Sequence, residues 1–392
     1  MKRYIITIAV AALALSASAQ SSANELSKAR AAVAAAKSAT APDARQCIFD
    51  IKAYHDTDGR LVVGGVTSDR DARRAVVSKL DETGLEYADS IKVLPYNRWA
   101  QTRISAASHR GAGRHSAEMV TQSVLGTPLR VLEASGDWWR VQTPDGYIAY
   151  VPSSSVVAKT DSEMAAWRKA SRFIVTSHYQ VRAYSTPTAD SPRQIVTDLV
   201  NGCIVTAVGG APKLTDGRLH IELPDGRTGY VDSSALTPVE QWAAQDFDAD
   251  RILDTAYSME GTPYLWGGTS VKALDCSGLA KVSYYANGII LMRDASQQAL
   301  TGTRIEASDW RRCRPGDLLF FGNAKTKKVT HVAIYDHDGD YVHSSGRVKR
   351  NSVDPDSPSY LTTPFLHAVR IAGNEETKGI TRARNHPWYF DR

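Results

Sequence analysis

Apolar and polar residues alternate along this chain with several different periods, and each change of period marks a change of element. An apolar run from Ile5 to Leu15 follows Lys2 and Arg3 and gives way to Ala17-Ser18-Ala19. That order of charged, apolar and small residues predicts an export leader, residues 1–19, cleaved after Ala19. The run is too short to cross about 30 Å of hydrocarbon and no later stretch is long enough, so no membrane span is expected. No Cys follows the cleavage point, so a lipid anchor is not expected either, and the mature protein is expected to be exported, periplasmic or extracellular. Residues 20–45 are rich in Ala with scattered Lys and Arg and read as a helical or mobile spacer.

Residues 46–96 carry a short mixed pattern. Two strands, Cys47 to Ile51 and Arg60 to Gly65, flank the turn Asp58-Gly59. Asp69 is placed to cap a helix running to about Thr83, with Ala72, Ala75, Val76, Val77 and Leu80 as its apolar stripe. Asp89 to Leu94 predicts a third strand. Two longer stretches, 97–160 and 173–237, then run as short strands punctuated by turn dipeptides, the pattern of small antiparallel barrels. Pro144-Asp145-Gly146 and Pro224-Asp225-Gly226 lie 80 residues apart (224 − 144), so the unit is duplicated. A polar segment, 161–172, links the two as a helix around Met164 and Trp167.

From 238 the period becomes helical. Trp242, Phe247, Ile252, Leu253, Ala256 and Met259 are expected to form one buried face up to the breaker Gly261-Thr262-Pro263. Helix followed by strands to about 375 predicts an α+β domain, and 376–392 form a tail containing Trp388-Tyr389-Phe390.

At 392 residues the chain exceeds one ordinary core, in keeping with several domains. The net charge of +5 falls to +3 once Lys2 and Arg3 leave with the leader (5 − 2), too weak a bias to point to nucleic acid. The four cysteines Cys47, Cys203, Cys276 and Cys313 match neither zinc-ligand nor CxxC spacing, and no metal or organic cofactor is implied. Cys47, Cys203 and Cys313 read as small buried hydrophobes. Cys276 is set apart by its neighbours.

Asp275-Cys276-Ser277-Gly278-Leu279 opens a helix that carries Leu279, Val282, Tyr285 and Ala286 on one face and stops at Asn287-Gly288. A first-turn cysteine sits at the positive end of the helix dipole, which favours thiolate and offers free N–H groups to an oxyanion. The loop Gly261 to Gly268, with Tyr264 and Trp266, lies just upstream. A thiol nucleophile needs a base elsewhere in the chain. His331 lies on the strand Val329 to Tyr335, and His343 on the strand returning after the turn Asp336 to Asp340. A turn centred on His337 places the two histidines directly opposite (331 + 343 = 2 × 337), whereas one centred on Asp338-Gly339 breaks that pairing. Facing histidines would serve as base and orienter.

The motifs Asp275-Cys276-Ser277-Gly278, Arg314-Pro315-Gly316-Asp317-Leu318 and His331-Val332-Ala333-Ile334 with His343 resemble the NlpC/p60 family of papain-like cysteine peptidases, over roughly 247–373. The resemblance implies a triad in which Cys276 attacks an amide, His331 exchanges protons and His343 orients it. The two barrels resemble bacterial SH3-like (SH3b) domains, and 46–96 resembles a BON-like domain. The whole is similar to the subgroup of γ-D-glutamyl-L-diamino acid endopeptidases, which carries two SH3-like domains ahead of the peptidase. This implies peptidoglycan stem peptides as substrates, with a free N-terminal L-Ala and cleavage between γ-D-Glu and the diamino acid. Carried over residue by residue, the subgroup's pattern implies substrate contacts from Tyr264, Asp275 and Ser277. It also implies an ammonium pocket of Asp294, Glu118 and Tyr147, with Arg293 holding a substrate carboxylate or pairing with Asp294. Ala295 departs from the pattern, standing where a serine is often found. A wall-binding protein with an inactive peptidase domain, and an N-acetylmuramoyl-L-alanine amidase, are the alternatives.

Overall fold

The computed structural model describes the backbone of residues 2–391 and the side chains of 20–391. The expected leader and its cleavage point lie outside the described side chains. Among the described residues no helix is long and apolar enough to cross a membrane. The chain divides into two compact units, one up to Tyr96 and one from Asn97 on.

In the first unit, α1 (Lys2–Thr40) precedes β1 (Phe49–His55), β2 (Leu61–Thr67), α2 (Arg70–Asp81) and β3 (Ala88–Val93). The sheet order is β1-β2-β3, with β1 antiparallel and β3 parallel to β2. Asp69 caps α2 by accepting from the Asp71 N–H, and Gly59 takes φ +78° in the β1–β2 turn. The segment read as a helical or mobile spacer is helical, and one stripe of it is packed into a core. Ala29, Ala32, Val33 and Ala36 repeat at helical spacing and are buried with Ile51, Val63, Val76 and Leu80. Small side chains on that stripe let α1 approach the unit closely, which an Ala-rich composition alone does not reveal.

The second unit begins with a seven-stranded antiparallel sheet made of β4 (Trp99–Thr102), β5 (Ala106–Arg110), β6 (Met119–Val124), β7 (Pro128–Ser135), β8 (Trp138–Gln142), β9 (Ile148–Pro152) and β10 (Val156–Lys159). Ala100, Ala107, Leu129, Val131, Val141, Val151 and Val156 share one core, as in a sheet wrapped on itself. The helix α3 (Asp161–Lys169), closed by a capping box between Thr160 and Glu163, leads to a second all-β body. Its strands are β11 (Arg172–Val175), β12 (Val181–Tyr184), β13 (Ile195–Leu199), β14 (Ile204–Ala207), β15 (Leu214–Thr215), β16 (Arg218–Glu222), β17 (Thr228–Asp232) and β18 (Leu236–Pro238). The two bodies meet where Gly126 takes φ +83°. A β-carbon there would come within 2.1 Å of the Ile204 carbonyl oxygen, so only glycine fits.

The remainder is helix then sheet. The single helix face expected from Trp242 to Met259 is two helices, α4 (Val239–Ala243) and α5 (Ala249–Ser258). Asp248 starts the second by accepting from the Arg251 N–H, so Trp242 belongs to a different cluster, with Ile174, Ile290 and Tyr389. Then follow β19 (Thr269–Ser270), β20 (Ala273–Leu274), α6 (Cys276–Ala286), β21 (Ile289–Leu291) and α7 (Ala295–Gln298). The last strands are β22 (Thr303–Glu306), β23 (Leu318–Gly322), β24 (Val329–Tyr335), β25 (Asp340–Ser345), β26 (Arg347–Ser352), β27 (Phe365–Arg370) and β28 (Ile380–Arg382). Six of them form a sheet in the order β22-β27-β23-β24-β25-β26. Leu279 of α6 shares a core with Phe320, Val332, Ile334 and Val342, which packs the helix across the middle of this sheet.

Candidate active site

Cys276 is the first residue of α6, buried at 7% exposure. The turn beneath it is built by Asp275. One carboxylate oxygen accepts from the Gly278 N–H at 2.7 Å and the other from the Gly267 N–H at 2.9 Å. A β-carbon at Gly278 would lie 2.0 Å from the Gly268 carbonyl oxygen, so the glycine loop can press against the helix start only because neither side carries a side chain there. With Gly278 N–H taken, the Cys276 N–H is left without a partner among the described residues. The N–H groups of Ser277 and Val332 point at the sulfur. Val332 follows His331 in β24, so the strand that carries the histidine also supplies a donor to the sulfur.

The rings of His331 and His343 meet edge-on, with Nε2 of the first 2.7 Å from Nδ1 of the second. The register behind this contact decides between the two turns left open by the sequence. Ile334 pairs with Val342 and Tyr335 with Tyr341, so the hairpin centres on residue 338 (334 + 342 = 2 × 338). Asp338 and Gly339 take φ of +52° and +91°. Continued, that register sets His331 across from Ser345, one step diagonal from His343 on the same face. Diagonal neighbours lie about 7–8 Å apart at the backbone, a gap two imidazoles can close. Beyond them, His343 Nε2 lies 3.0 Å from Asn351 Oδ1 on β26, a partner that sequence spacing did not reveal.

Burial sets the charge state of these groups. It lowers the pKa of His331 to about 3, with the His343 and Lys349 charges acting in the same direction. It lowers that of His343 to about 4. Burial and the neighbouring Asp275 carboxylate push the Cys276 thiol up to about 11. The helix dipole was expected to favour thiolate, but removal of the sulfur from water outweighs it. Between these values the resting site holds a neutral thiol and neutral imidazoles.

Arg293, 1% exposed, lies at the centre of the remaining predicted residues. Its fork grips both oxygens of Asp275, at 3.1 and 2.5 Å, and also donates to the Ser277 hydroxyl at 2.9 Å. Ser277 in turn donates to Asp275 at 3.2 Å. Burial disfavours the guanidinium charge, yet Asp275 more than restores it, so the Arg293 pKa is raised. The carboxylate in its grip is that of Asp275, and the nearby Asp294 charge favours the guanidinium as well. The side chains of Asp275, Ser277 and Arg293 are engaged with one another.

The first β body closes one side of the site. Arg293 Nε donates to Thr121 Oγ1 on β6 at 3.1 Å. Gln122 accepts the N–H of Thr269 through its side chain and the Thr269 hydroxyl through its backbone. A β-carbon at Gly267 would lie 2.5 Å from the Met119 carbonyl oxygen. Along this seam, Glu118 is exposed and precedes Met119, while Asp294 follows Arg293, half-buried at the start of α7. Tyr147 is buried after the turn whose Asp145 bonds Lys281 of α6. Tyr264 is half-buried, and burial, with smaller contributions from nearby Cys276 and Asp275, raises its phenol pKa. Leu265 and Trp266 beside it are exposed, as an apolar lip. Cys47, Cys203 and Cys313 are free and buried.

Comparison with known proteins fits this geometry. Residues 261–370 match the model of the NlpC/P60 family, and 110–156 match that of the bacterial dipeptidyl-peptidase Sh3 domain. Dipeptidyl-peptidase 6 of Lysinibacillus sphaericus is 31% identical over 250 residues, covering 62% of this chain and 88% of that protein. The γ-D-glutamyl-L-lysine dipeptidyl-peptidase of Bacillus cereus is 25% identical, covering 68% of this chain and 80% of that one. The crystal structure of an NlpC/P60 family protein from Bacillus cereus shares the fold at 21% identity, with a TM-score of 0.59 over 70% of this chain and 99% of that chain. The chain belongs to the NlpC/P60 family of cysteine peptidases, with a bacterial dipeptidyl-peptidase SH3 domain ahead of the peptidase.

Proposed function

We propose that this protein hydrolyses the bond between γ-D-glutamate and the diamino acid of peptidoglycan stem peptides, and that it prefers peptides whose N-terminal L-Ala is free. The observation that carries the reading is a buried cysteine at the start of α6, beside a strand bearing one of two histidines 2.7 Å apart. The names of the relatives, dipeptidyl-peptidase 6 and γ-D-glutamyl-L-lysine dipeptidyl-peptidase, support the bond and the dipeptide product.

Cys276 Sγ attacks the γ-glutamyl carbonyl as its proton passes to His331. The N–H of Cys276 is free to donate to the oxyanion. His331 then gives the proton to the departing α-amine, leaving a γ-glutamyl thioester. Water attacks the thioester, His331 takes the water's proton, and the thiol is restored. Asp294, Glu118 and Tyr147 each adjoin a contact on the seam between the first β body and the peptidase, which supports a pocket there for the L-Ala ammonium. Carboxylates in such a pocket compensate the cost of taking an ammonium out of water.

The second β body is read as SH3-like, a duplicate of the first, and residues 46–96 as BON-like from their β-β-α-β order. The leader of residues 1–19 supports export to the periplasm or the cell exterior. Domain boundaries follow the same reading, with the SH3-like domains at 97–160 and 173–237 and the peptidase at 238–375.

The test is mass spectrometry of products from L-Ala-γ-D-Glu-diaminopimelate, its L-lysine counterpart and their N-acetylated forms. The expected products are L-Ala-D-Glu and the free diamino acid, with acetylation lowering kcat/KM by at least about 10-fold. Equal turnover of free and acetylated peptides would refute the free-amine preference, and release of sugar from intact stems would favour an amidase.

A further inference from the structure

We propose that Asn351 is a positioning residue that fixes the tautomers of both active-site histidines. This inference rests on the cysteine-peptidase reading above and extends it to a residue outside the triad.

One acceptor beside the histidines has no choice of role. The carbonyl oxygen of Ser359 can only accept, and the Asn351 side chain meets it at 2.8 Å. The atom facing it must therefore be the amide nitrogen, which turns Asn351 Oδ1 toward His343. An amide oxygen also only accepts, so His343 Nε2, 3.0 Å away, carries a proton. Burial keeps His343 neutral, and a neutral imidazole has one N–H, so its Nδ1 presents a lone pair. His331 Nε2 lies 2.7 Å from that nitrogen and must donate to it. His331 Nδ1 is then bare and is the nitrogen left to take the proton of the Cys276 thiol. Each bond in this relay fixes the next, and the first is set by a backbone carbonyl.

The three side chains lie on one face of β24, β25 and β26. Asn351 pairs with Tyr341 in the ladder, so His343 is its diagonal neighbour, as His331 is diagonal to His343. Reversal of the Asn351 amide would place its NH2 against His343 and shift a proton onto His343 Nδ1. His331 would then have to accept at Nε2 and carry its proton on Nδ1, which leaves it no free lone pair for the thiol proton.

Two measurements test this on the full-length protein. The first is the ring 15N–1H correlation spectrum of protein labelled with 15N-histidine, recorded near neutral pH. Protons on Nε2 of both His343 and His331 are expected, and a proton on Nδ1 of either would overturn the proposal. The second compares wild type with Asn351→Ala and Asn351→Leu on L-Ala-γ-D-Glu-L-Lys. A fall in kcat of at least about 10-fold is expected, below the roughly 10⁴-fold that follows when an orienting group imposes the wrong tautomer. KM should stay within about 2-fold, and the His343 spectrum should show mixed tautomers. Unchanged kcat, or unchanged tautomers in a folded variant, would overturn it. Should neither variant fold, the wild-type spectrum alone still decides. Failure of the peptidase reading would show instead as turnover that survives Cys276→Ala.

Discussion

Lys281 on the nucleophile's helix and Asp145 in the β8–β9 turn are joined by a 2.8 Å ion pair, with only 16% and 1% of their side chains exposed. The pair ties α6 to the first β body five residues after Cys276. Burial alone would raise the Asp145 pKa, but Lys281 and the Thr143 hydroxyl outweigh it and hold the carboxyl below its ordinary value. Removal of one partner strands a buried charge, and the expected cost of Asp145→Ala or Lys281→Met is about 3–5 kcal/mol. The double variant should cost less than the sum of the two. Urea denaturation of all four proteins checks this, and additive losses would show that the ions do not act as a pair.

Arg293 makes a second tie, to Asp275, Ser277 and Thr121 together. Arg293→Lys keeps the charge but loses the fork, so it cannot span both carboxylate oxygens and the two hydroxyls. It should destabilise the protein by about 2–4 kcal/mol and lower kcat as the Asp275 cap loosens. Denaturation and steady-state kinetics on one preparation test both effects, and wild-type values for either would contradict this role.

These ties were the part of the site least legible in the sequence. Cys276, His331 and His343 could be read because each sits in a short motif on its own element. The Arg293–Asp275 pair and the contact with Thr121 join residues far apart in the chain, and no local period encodes them. The hairpin's centre stayed open in the sequence because alternation of side chains cannot distinguish a turn at His337 from one at Asp338-Gly339. The rings still meet because a diagonal step keeps both on one face. The packing of α1 was missed for a related reason, since an Ala stripe buries little area per residue and resembles a soluble linker.

Thiol reactivity should follow the neutral resting site. With the Cys276 pKa near 11 and that of His331 near 3, inactivation of the free enzyme by iodoacetamide should be slow at pH 6. It should climb with pH beyond 9. A rate that is already maximal and flat between pH 5 and 8 would show a thiolate–imidazolium pair instead.

Acid should weaken the fold before its carboxylates titrate. His109, His331 and His343 are held neutral, with pKa values near 3, 3 and 4 against an ordinary 6.5, and that of His367 is lowered too. Below pH 6.5 the unfolded chain binds protons that the folded chain refuses, so stability falls as pH falls toward 4. Each of the three most shifted histidines contributes up to about 1.4 kcal/mol per pH unit in that window. Exposed His337, raised by Asp336, acts weakly in the opposite sense. Urea midpoints at pH 7 and pH 5 should differ clearly in favour of pH 7, and equal midpoints would contradict burial as the cause.

The central claim is that Cys276 carries the γ-glutamyl group during turnover. Acid quenching of the enzyme during hydrolysis of L-Ala-γ-D-Glu-diaminopimelate, followed by peptide mapping, tests it most directly. The account predicts an L-Ala-γ-D-Glu adduct on the peptide containing Cys276, and neither adduct nor turnover in Cys276→Ala. An adduct on another residue, or turnover by the variant, would contradict it.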